Sequence, residues 1–198
     1  MLRDLGRRLG RGGPPPTTEP DDPVEPPPPP PLDVTAYTDA AVLRGHLKFI
    51  GVARLTDALN AADSFLLTEV ETETLGDGAV TEAAVVRVAR DDLVAVAAGG
   101  PRGDPSRRVR TQAQPVTIQS GPYELTGHVH ALAGADPIGS LKRRRVMVPL
   151  TAAQVVFAVA GRPRFDSMDL LIINRDLIDV IHGPHDAPAA PAGPDAVT

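Results

Sequence analysis

Hydrophobic and polar residues alternate in short runs through the first half of the chain, which is the pattern of half-buried β-strands. The clearest run is residues 64–72, SFLLTEVET, where Phe65 and Leu67 fall on one face and Leu66 and Thr68 on the other. The strands predicted in this way are residues 40–50, 64–72, 81–89 and 93–97. The sequence Gly76-Asp77-Gly78 predicts a hairpin turn. Residues 54–60, RLTDALN, predict a turn of helix, because Leu55 and Leu59 are four residues apart.

A second copy of this pattern follows about 80 residues later. The pair Gly45-His46 recurs as Gly127-His128, an offset of 82 residues, and Asp92-Leu93 recurs as Asp176-Leu177, an offset of 84. The corresponding strands are predicted at residues 116–118, 123–132, 145–150, 152–160, 169–173 and 177–181, with a turn at 161–166. Such a near-constant offset predicts that one small β-rich unit is used twice.

Proline content separates the repeats from the N-terminal region. Eleven of the 22 prolines lie in residues 14–31, a composition that cannot build a core. The predicted organisation is a short basic amphipathic peptide (1–13), a disordered proline-rich tether (14–31), a first repeat (32–98), a linker (99–114), a second repeat (115–183) and a disordered tail (184–198). The architecture is therefore expected to be mostly β.

Composition excludes several classes of site. The chain has no cysteine, so disulfides, thiolate metal sites and cysteine nucleophiles are excluded. No apolar run is long enough to span a bilayer and no signal-peptide pattern is present, so a cytoplasmic protein is expected. The arginine-rich, lysine-poor composition is typical of a GC-rich bacterial genome.

Charge is distributed unevenly between the two repeats. Residues 36–98 carry a net charge of −5, whereas residues 99–182 carry a net charge of +4. Opposite charges of this kind favour head-to-tail self-association of copies, or an anionic partner for the second half.

The first thirteen residues contain a candidate docking peptide. Leu2, Leu5 and Leu9 lie at helical spacing beside Arg7 and Arg8. The peptide is too short to be helical alone, so it is expected to fold only on docking. The alternatives are an anionic membrane surface and a basic terminus without a role.

A basic cluster in the second half is the strongest functional signal. Its members are Arg107, Arg108, Arg110, Lys142, Arg143, Arg144 and Arg145. Three interpretations stay open: pairing with an acidic protein surface, a solvated loop, and binding of nucleic-acid phosphates. The acidic surface would be the first repeat of another copy, including Glu69, Glu71 and Glu73, or the acidic tether. Nucleic acid is less favoured, because this half offers only Tyr123, Phe157 and Phe165 for stacking.

Catalytic and metal-binding patterns are weak. His128 and His130 share one face of a predicted strand, and His46 matches His128, but zinc requires further ligands. A pH-responsive surface and ordinary strand histidines are the alternatives. Asp91-Asp92 is explained by turn chemistry. The sequence therefore predicts no enzyme, no cofactor and no metal.

One local motif resembles a known family. Residues 54–60, RLTDALN, followed by Phe65-Leu66-Leu67-Thr68, resemble an uncharacterised family of small bacterial β domains with an arginine-leucine-serine-aspartate…leucine-asparagine motif. The second copy has PIGSLKR at residues 137–143, without the Asp or Asn. The strand pattern is similar to SH3-like or Sm-like barrels, which implies tandem duplicated small barrels but no particular activity.

Together these patterns favour a non-enzymatic adaptor that combines two small β-barrels with a tethered docking peptide. The alternative is a small nucleic-acid-binding or regulatory protein that uses the basic cluster.

Overall fold

The computed structural model describes residues 31–47, 54–99 and 110–183. Its strands are β1 (Leu32–Thr38), β2 (Ala41–Leu47), β3 (Ser64–Thr74), β4 (Val80–Ala89), β5 (Leu93–Ala98), β6 (Gln112–Ser120), β7 (Tyr123–Ala131), β8 (Met147–Val159), β9 (Arg162–Asn174) and β10 (Val180–His182). Its helices are α1 (Leu55–Ala61) and α2 (Pro137–Lys142), with 3-10 turns at Arg90–Asp92 and Arg175–Leu177. The predicted docking peptide (1–13), most of the predicted tether and the predicted tail (184–198) lie outside these ranges.

All ten strands belong to one open antiparallel sheet, which confirms the mostly β expectation. The strand order is β10-β6-β7-β8-β9-β5-β1-β2-β3-β4. The first five strands are therefore ordered β5-β1-β2-β3-β4, and the last five follow the same order, β10-β6-β7-β8-β9. The two sets meet where β5 pairs with β9.

Three predicted boundaries were wrong in the second half. Residues 145–150 and 152–160 form one strand, β8, because Ala152 adopts a positive φ of 47° as a bulge and the pairing continues past it. The turn predicted at residues 161–166 is only two residues long, since Ala160 and Gly161 both have positive φ and return the chain directly into β9. The predicted linker is also too long, because β6 begins at Gln112.

The core consists of two hydrophobic clusters on opposite faces of the central strands. In β5, Leu93 and Val96 pack with the first half, whereas Val94, Ala95 and Ala97 pack with the second half. The neighbouring strand β9 does the same, with Ile172 in one cluster and Leu171 and Ile173 in the other. Because β5 and β9 bury both faces, the junction between the two halves is a continuous apolar layer.

Three aromatic rings form an unpredicted centre of the second cluster. Tyr37 of β1, Tyr123 of β7 and Phe157 of β8 contact one another at ring-centroid distances of 5.5 to 6.0 Å. The Tyr37 hydroxyl donates to an Asp166 carboxylate oxygen at 2.8 Å, and the Tyr123 hydroxyl donates to the Thr38 carbonyl at 2.6 Å. The buried rings keep their polar tips paired, as aromatic pairs in cores require.

Asn60, the last residue of the motif at residues 54–60, joins the halves by a different contact. Its amide nitrogen donates to the Met147 carbonyl at 2.9 Å, and its amide oxygen accepts from the Met147 N–H at 3.0 Å. The same nitrogen also donates to the Thr56 carbonyl within α1. Asn60 therefore forms hydrogen bonds with both the N–H and the carbonyl of Met147 at the start of β8. These bonds explain why a polar residue stands near the end of α1.

Candidate interaction surfaces

The described part of the predicted basic cluster divides into inward and outward side chains. Lys142, Arg143 and Arg145 are exposed at the end of α2, and Arg110 is exposed before β6. Among the residues that the structure describes, no carboxylate forms an ion pair with any of these four. Arg107 and Arg108 lie outside the described residues. Within the part of the chain that the structure describes, these exposed cations therefore carry positive charge that no carboxylate pairs.

Arg144 differs from its neighbours because it is partly buried. Its guanidinium donates to the His130 carbonyl, and burial lowers the pKa of the group. Arg175 reinforces the same loop by donating to the carbonyls of Lys142 and Arg144. The run KRRR thus has one member that fixes the loop on the sheet while the others face solvent.

An acidic cleft lies at the junction between β2, β3 and β9. It has a volume of about 690 Å³, and the charged or titratable residues that line it are Asp33, Arg44, His46, Glu69, Glu71 and Asp169. Arg44 bridges Glu71 at 3.4 Å and Glu73 at 3.2 Å. The acidic residues Glu69, Glu71 and Glu73 that sequence reasoning offered as a partner surface therefore lie on one strand, but two of them already share a cation.

His46 lies between two carboxylates of this cleft. Its Nδ1 lies 2.7 Å from Asp33, and its Nε2 lies 3.3 Å from Glu69. Both carboxylates are largely exposed, so the interactions are solvent-screened and contribute little to stability. The cleft therefore offers exposed negative charge suited to a cationic ligand or peptide.

Gly45 shapes this cleft, because the ladder between β2 and β3 shifts register there and Glu69 adopts a positive φ of 52°. A Cβ at position 45 would lie 2.9 Å from the Thr68 carbonyl oxygen, which cannot move without distorting β3. We expect Gly45→Ala to lower the free energy of unfolding by about 1–3 kcal/mol in urea titrations. Gly76→Ala is the matched control, since nothing lies within 4 Å of its Cβ and the change there should stay within about 0.5 kcal/mol. Equal losses in the two variants would contradict the steric explanation.

His130, one of the two strand histidines predicted to share a face, has ordinary hydroxyl partners. His130 contacts the Thr151 hydroxyl at 2.8 Å through Nε2 and the Thr111 hydroxyl at 3.4 Å through Nδ1. In the described ranges, no group of three or more His, Asp and Glu residues is arranged to hold a metal ion. Asp91 and Asp92 lie in the exposed 3-10 turn that precedes β5.

The strand predicted at residues 81–89 is confirmed as β4, but its position at an exposed edge of the sheet was not predicted. Residues 80–85 of this strand are exposed to solvent on both faces of the sheet, and Val80 and Val85 are each 55% exposed. Within the described ranges β4 pairs only with β3. The signal was available in Ala83-Ala84-Val85-Val86, four consecutive apolar residues that break the alternation expected of a half-buried strand.

Comparisons with protein-family models, with curated proteins and with solved structures find no match for this chain. Of the helices in the described ranges, none has the length and apolar character that crossing a membrane demands.

Proposed function

We propose that the protein is a non-enzymatic interaction protein built from two copies of one small SH3-like or Sm-like unit. The shared strand order supports the duplication. In each set of five strands, a short helix lies between the second and third strands and a 3-10 turn precedes the last strand. Positive φ at Glu69 and at Ala152 marks a bulge in the third strand of each set. These irregular features recur at the same places, which favours one ancestral unit.

The exposed strand β4 is the observation that carries the interaction role. One side of β4 has backbone groups without a strand partner in the described ranges. Beside them lies apolar surface from Val80, Ala83, Ala84 and Val85. Natural proteins usually shorten, charge or cover such an edge, because it templates pairing with another chain. Within β4 only Glu82 and Arg87 are charged, so most of the strand is apolar, and exposed apolar edges of this kind mark binding surfaces.

The N-terminal peptide adds a second, tethered contact to this proposal. A tether of about 18 residues in an extended polyproline conformation reaches roughly 55 Å, so a weak peptide contact would act at raised local concentration. The charge of its arginines also matches acidic partner surfaces. The protein would then act as a cytoplasmic adaptor with one contact on its folded body and one on the peptide.

The test is recovery of cytosolic partners by the full chain and by a variant with Leu2, Leu5 and Leu9 replaced by alanine. Recovery should fall about ten-fold or more if the three leucines anchor the peptide, while the melting temperature stays unchanged. A second variant, Arg7→Ser with Arg8→Ser, separates charge from apolar anchoring. Unchanged recovery by both variants would reject the docking role. A recovered partner must also bind the full chain when both proteins are purified.

A nucleic-acid-binding role is the second candidate, because Lys142, Arg143 and Arg145 are exposed and unpaired among the described residues. Oligonucleotide affinity should then fall steeply with salt, and each lost phosphate contact should reduce the logarithmic slope by about 0.7 to 0.9. Arg143→Ser with Arg145→Ser should flatten the slope, whereas Arg162→Ser, an exposed arginine at the start of β9, should not. No binding at low salt would reject this candidate.

A further inference from the structure

The junction inside the chain defines how one five-stranded unit pairs with another. Strand β5 is the fifth strand of the first unit, and β9 is the fourth strand of the second unit. They pair antiparallel through three consecutive residue pairs: Ala95 with Ile173, Val96 with Ile172 and Ala97 with Leu171. A fifth strand therefore joins a fourth strand.

The two outer strands of the sheet are again one fourth strand and one fifth strand. Strand β4 is the fourth strand of the first unit, and β10 is the fifth strand of the second unit. Within the described ranges β4 pairs only with β3, and β10 pairs only with β6. We propose that β10 of one chain pairs with β4 of a second copy and repeats the internal junction between molecules. This inference rests on the two-unit interpretation above and names the partner of the exposed edge.

The residue pairing between β10 of one copy and β4 of another can be derived by aligning the two units. The 3-10 turns that precede β5 and β10 give this alignment. The N–H of Arg90 donates to the Asp63 carbonyl, and the N–H of Arg175 donates to the Val146 carbonyl in the same way. Residues 95–97 of β5 therefore correspond to residues 180–182 of β10. In the ladders, Ala89 opposite Ser64 corresponds to Asn174 opposite Met147. The intermolecular pairs are Val180 with Val88, Ile181 with Arg87, and His182 with Val86.

The second unit has an open groove at the place where, in the first unit, side chains from β8 and β9 pack. In the first unit, Met147 and Ile172 reach across from β8 and β9 and pack in one cluster with Leu59 of α1 and Val96 of β5. The corresponding space between α2 and β10 is a groove of about 370 Å³. Its lining residues are Ile138, Leu141, Lys142, Arg175, Asp176, Ile178, Asp179 and Ile181. Four of these residues are apolar and four are charged, and the fourth-strand edge of a second copy would cover the apolar ones as the second unit covers the first.

The residue that enters this groove is Arg87, which holds the place of Ile172 in the fourth strand. Arg87 is exposed, and its guanidinium donates to the Ser64 hydroxyl at 3.1 Å. Its methylene stem can cover the isoleucines of the groove while the charged end reaches toward Asp179, since Asp176 already pairs with Arg175 at 3.2 Å and Lys142 lines the same groove. The opposite net charges of the two halves, −5 and +4, also steer the first half of one copy to the second half of another.

Such an interface is heterologous, because each chain offers two different surfaces. It produces a closed ring if the rotation between copies closes and a filament if it does not. If one chain has a blocked β4 edge and another has a blocked β10 edge, the two chains can still form one junction with each other. Symmetric dimers and non-specific aggregates do not have this property.

The experiment uses full-length protein in sedimentation equilibrium, with two singly blocked variants. Arg87→Glu blocks the β4 edge, because the shorter side chain would bury its carboxylate over Ile138 and Ile181 of the groove, and Val180→Glu blocks β10, where Val180 is 46% exposed. The unmodified chain should associate beyond a dimer, and each variant alone should associate more than ten-fold more weakly. A mixture of the two variants should form a one-to-one dimer and nothing larger.

Leu132→Glu is the matched control, because it removes an apolar side chain that is 60% exposed but lies after β7, away from both edges. It should associate like the unmodified chain, and at concentrations too low for association all variants should share its melting temperature. A monomeric unmodified chain, or a mixture that stays monomeric, would overturn the proposal. Association that both blocked variants retain would place the contact elsewhere and would also overturn it. None of these outcomes changes the test of the N-terminal peptide.

Discussion

Raising the pH from 10 to 12 is expected to lower the free energy of unfolding by up to about 5 kcal/mol. The cause lies in Tyr37 and Tyr123, whose hydroxyls are buried in the aromatic centre of the core. Burial raises the pKa of Tyr37, and the neighbouring Asp166 carboxylate, which accepts its hydrogen bond, raises it further. Burial also raises the pKa of Tyr123, with a smaller contribution from Asp39.

The sign follows from the protons that each state binds. Below a pH of about 10, both tyrosines are protonated in the folded and the unfolded chain, so they give no pH dependence. Above that pH the unfolded chain releases both protons, whereas the folded chain keeps them. Each tyrosine then lowers the stability by about 1.4 kcal/mol for every pH unit.

The composition makes this measurement unusually clean. The chain has two tyrosines and no tryptophan, so near-ultraviolet absorbance of tyrosinate reports only these two groups. The only lysines are Lys48 and Lys142, and the ordinary pKa of arginine lies above this range, with Arg144 as the one described arginine whose pKa burial lowers. Urea titrations at successive pH values should therefore show a slope set mainly by the tyrosines.

Tyr123→Phe should halve the alkaline slope, because one of the two titrating groups is removed while its ring is kept. It should also cost about 1 kcal/mol at neutral pH through the lost hydrogen bond to the Thr38 carbonyl. Tyrosinate absorbance that rises near pH 10 while the circular dichroism of the sheet is intact would contradict the burial argument.

Most strands could be predicted from alternation, since residues 64–72 and 81–89 alternate or run apolar between clear turn signals. The strand β1 was missed because LDVTAYT follows directly on the proline run, where no strand boundary is visible. The sequence predicts a turn over the first half of β9, because these residues are mostly polar and exposed and burial imposes no alternation on them.

The candidate sites were less accessible from sequence, because their meaning depends on contacts between distant residues. The run at residues 142–145 looks uniform, yet Arg144 alone turns inward to the His130 carbonyl. The aromatic centre joins residues 37, 123 and 157, and no local pattern connects them. Asn60 is similar, since its partner Met147 lies 87 residues away.

Phe157→Ala should be the most damaging single substitution in the core. Phe157 is 5% exposed, and its ring lies 6.0 Å from Tyr37 and 5.7 Å from Tyr123 between ring centroids. Truncation removes the buried ring and leaves a cavity, which costs about 3–5 kcal/mol. For a domain of this size, that loss lowers the melting temperature by roughly 6 °C or more.

Phe165→Ala is the matched control, because it deletes the same side chain from the neighbouring strand β9. Phe165 is 73% exposed, so its loss should change the free energy of unfolding by no more than about 0.5 kcal/mol. Phe157→Ala should also weaken the alkaline slope, since water in the new cavity would hydrate the Tyr37 and Tyr123 hydroxyls and lower their pKa toward the usual range. Equal destabilisation by the two substitutions, or an unchanged alkaline slope in Phe157→Ala, would show that the aromatic centre does not organise the core.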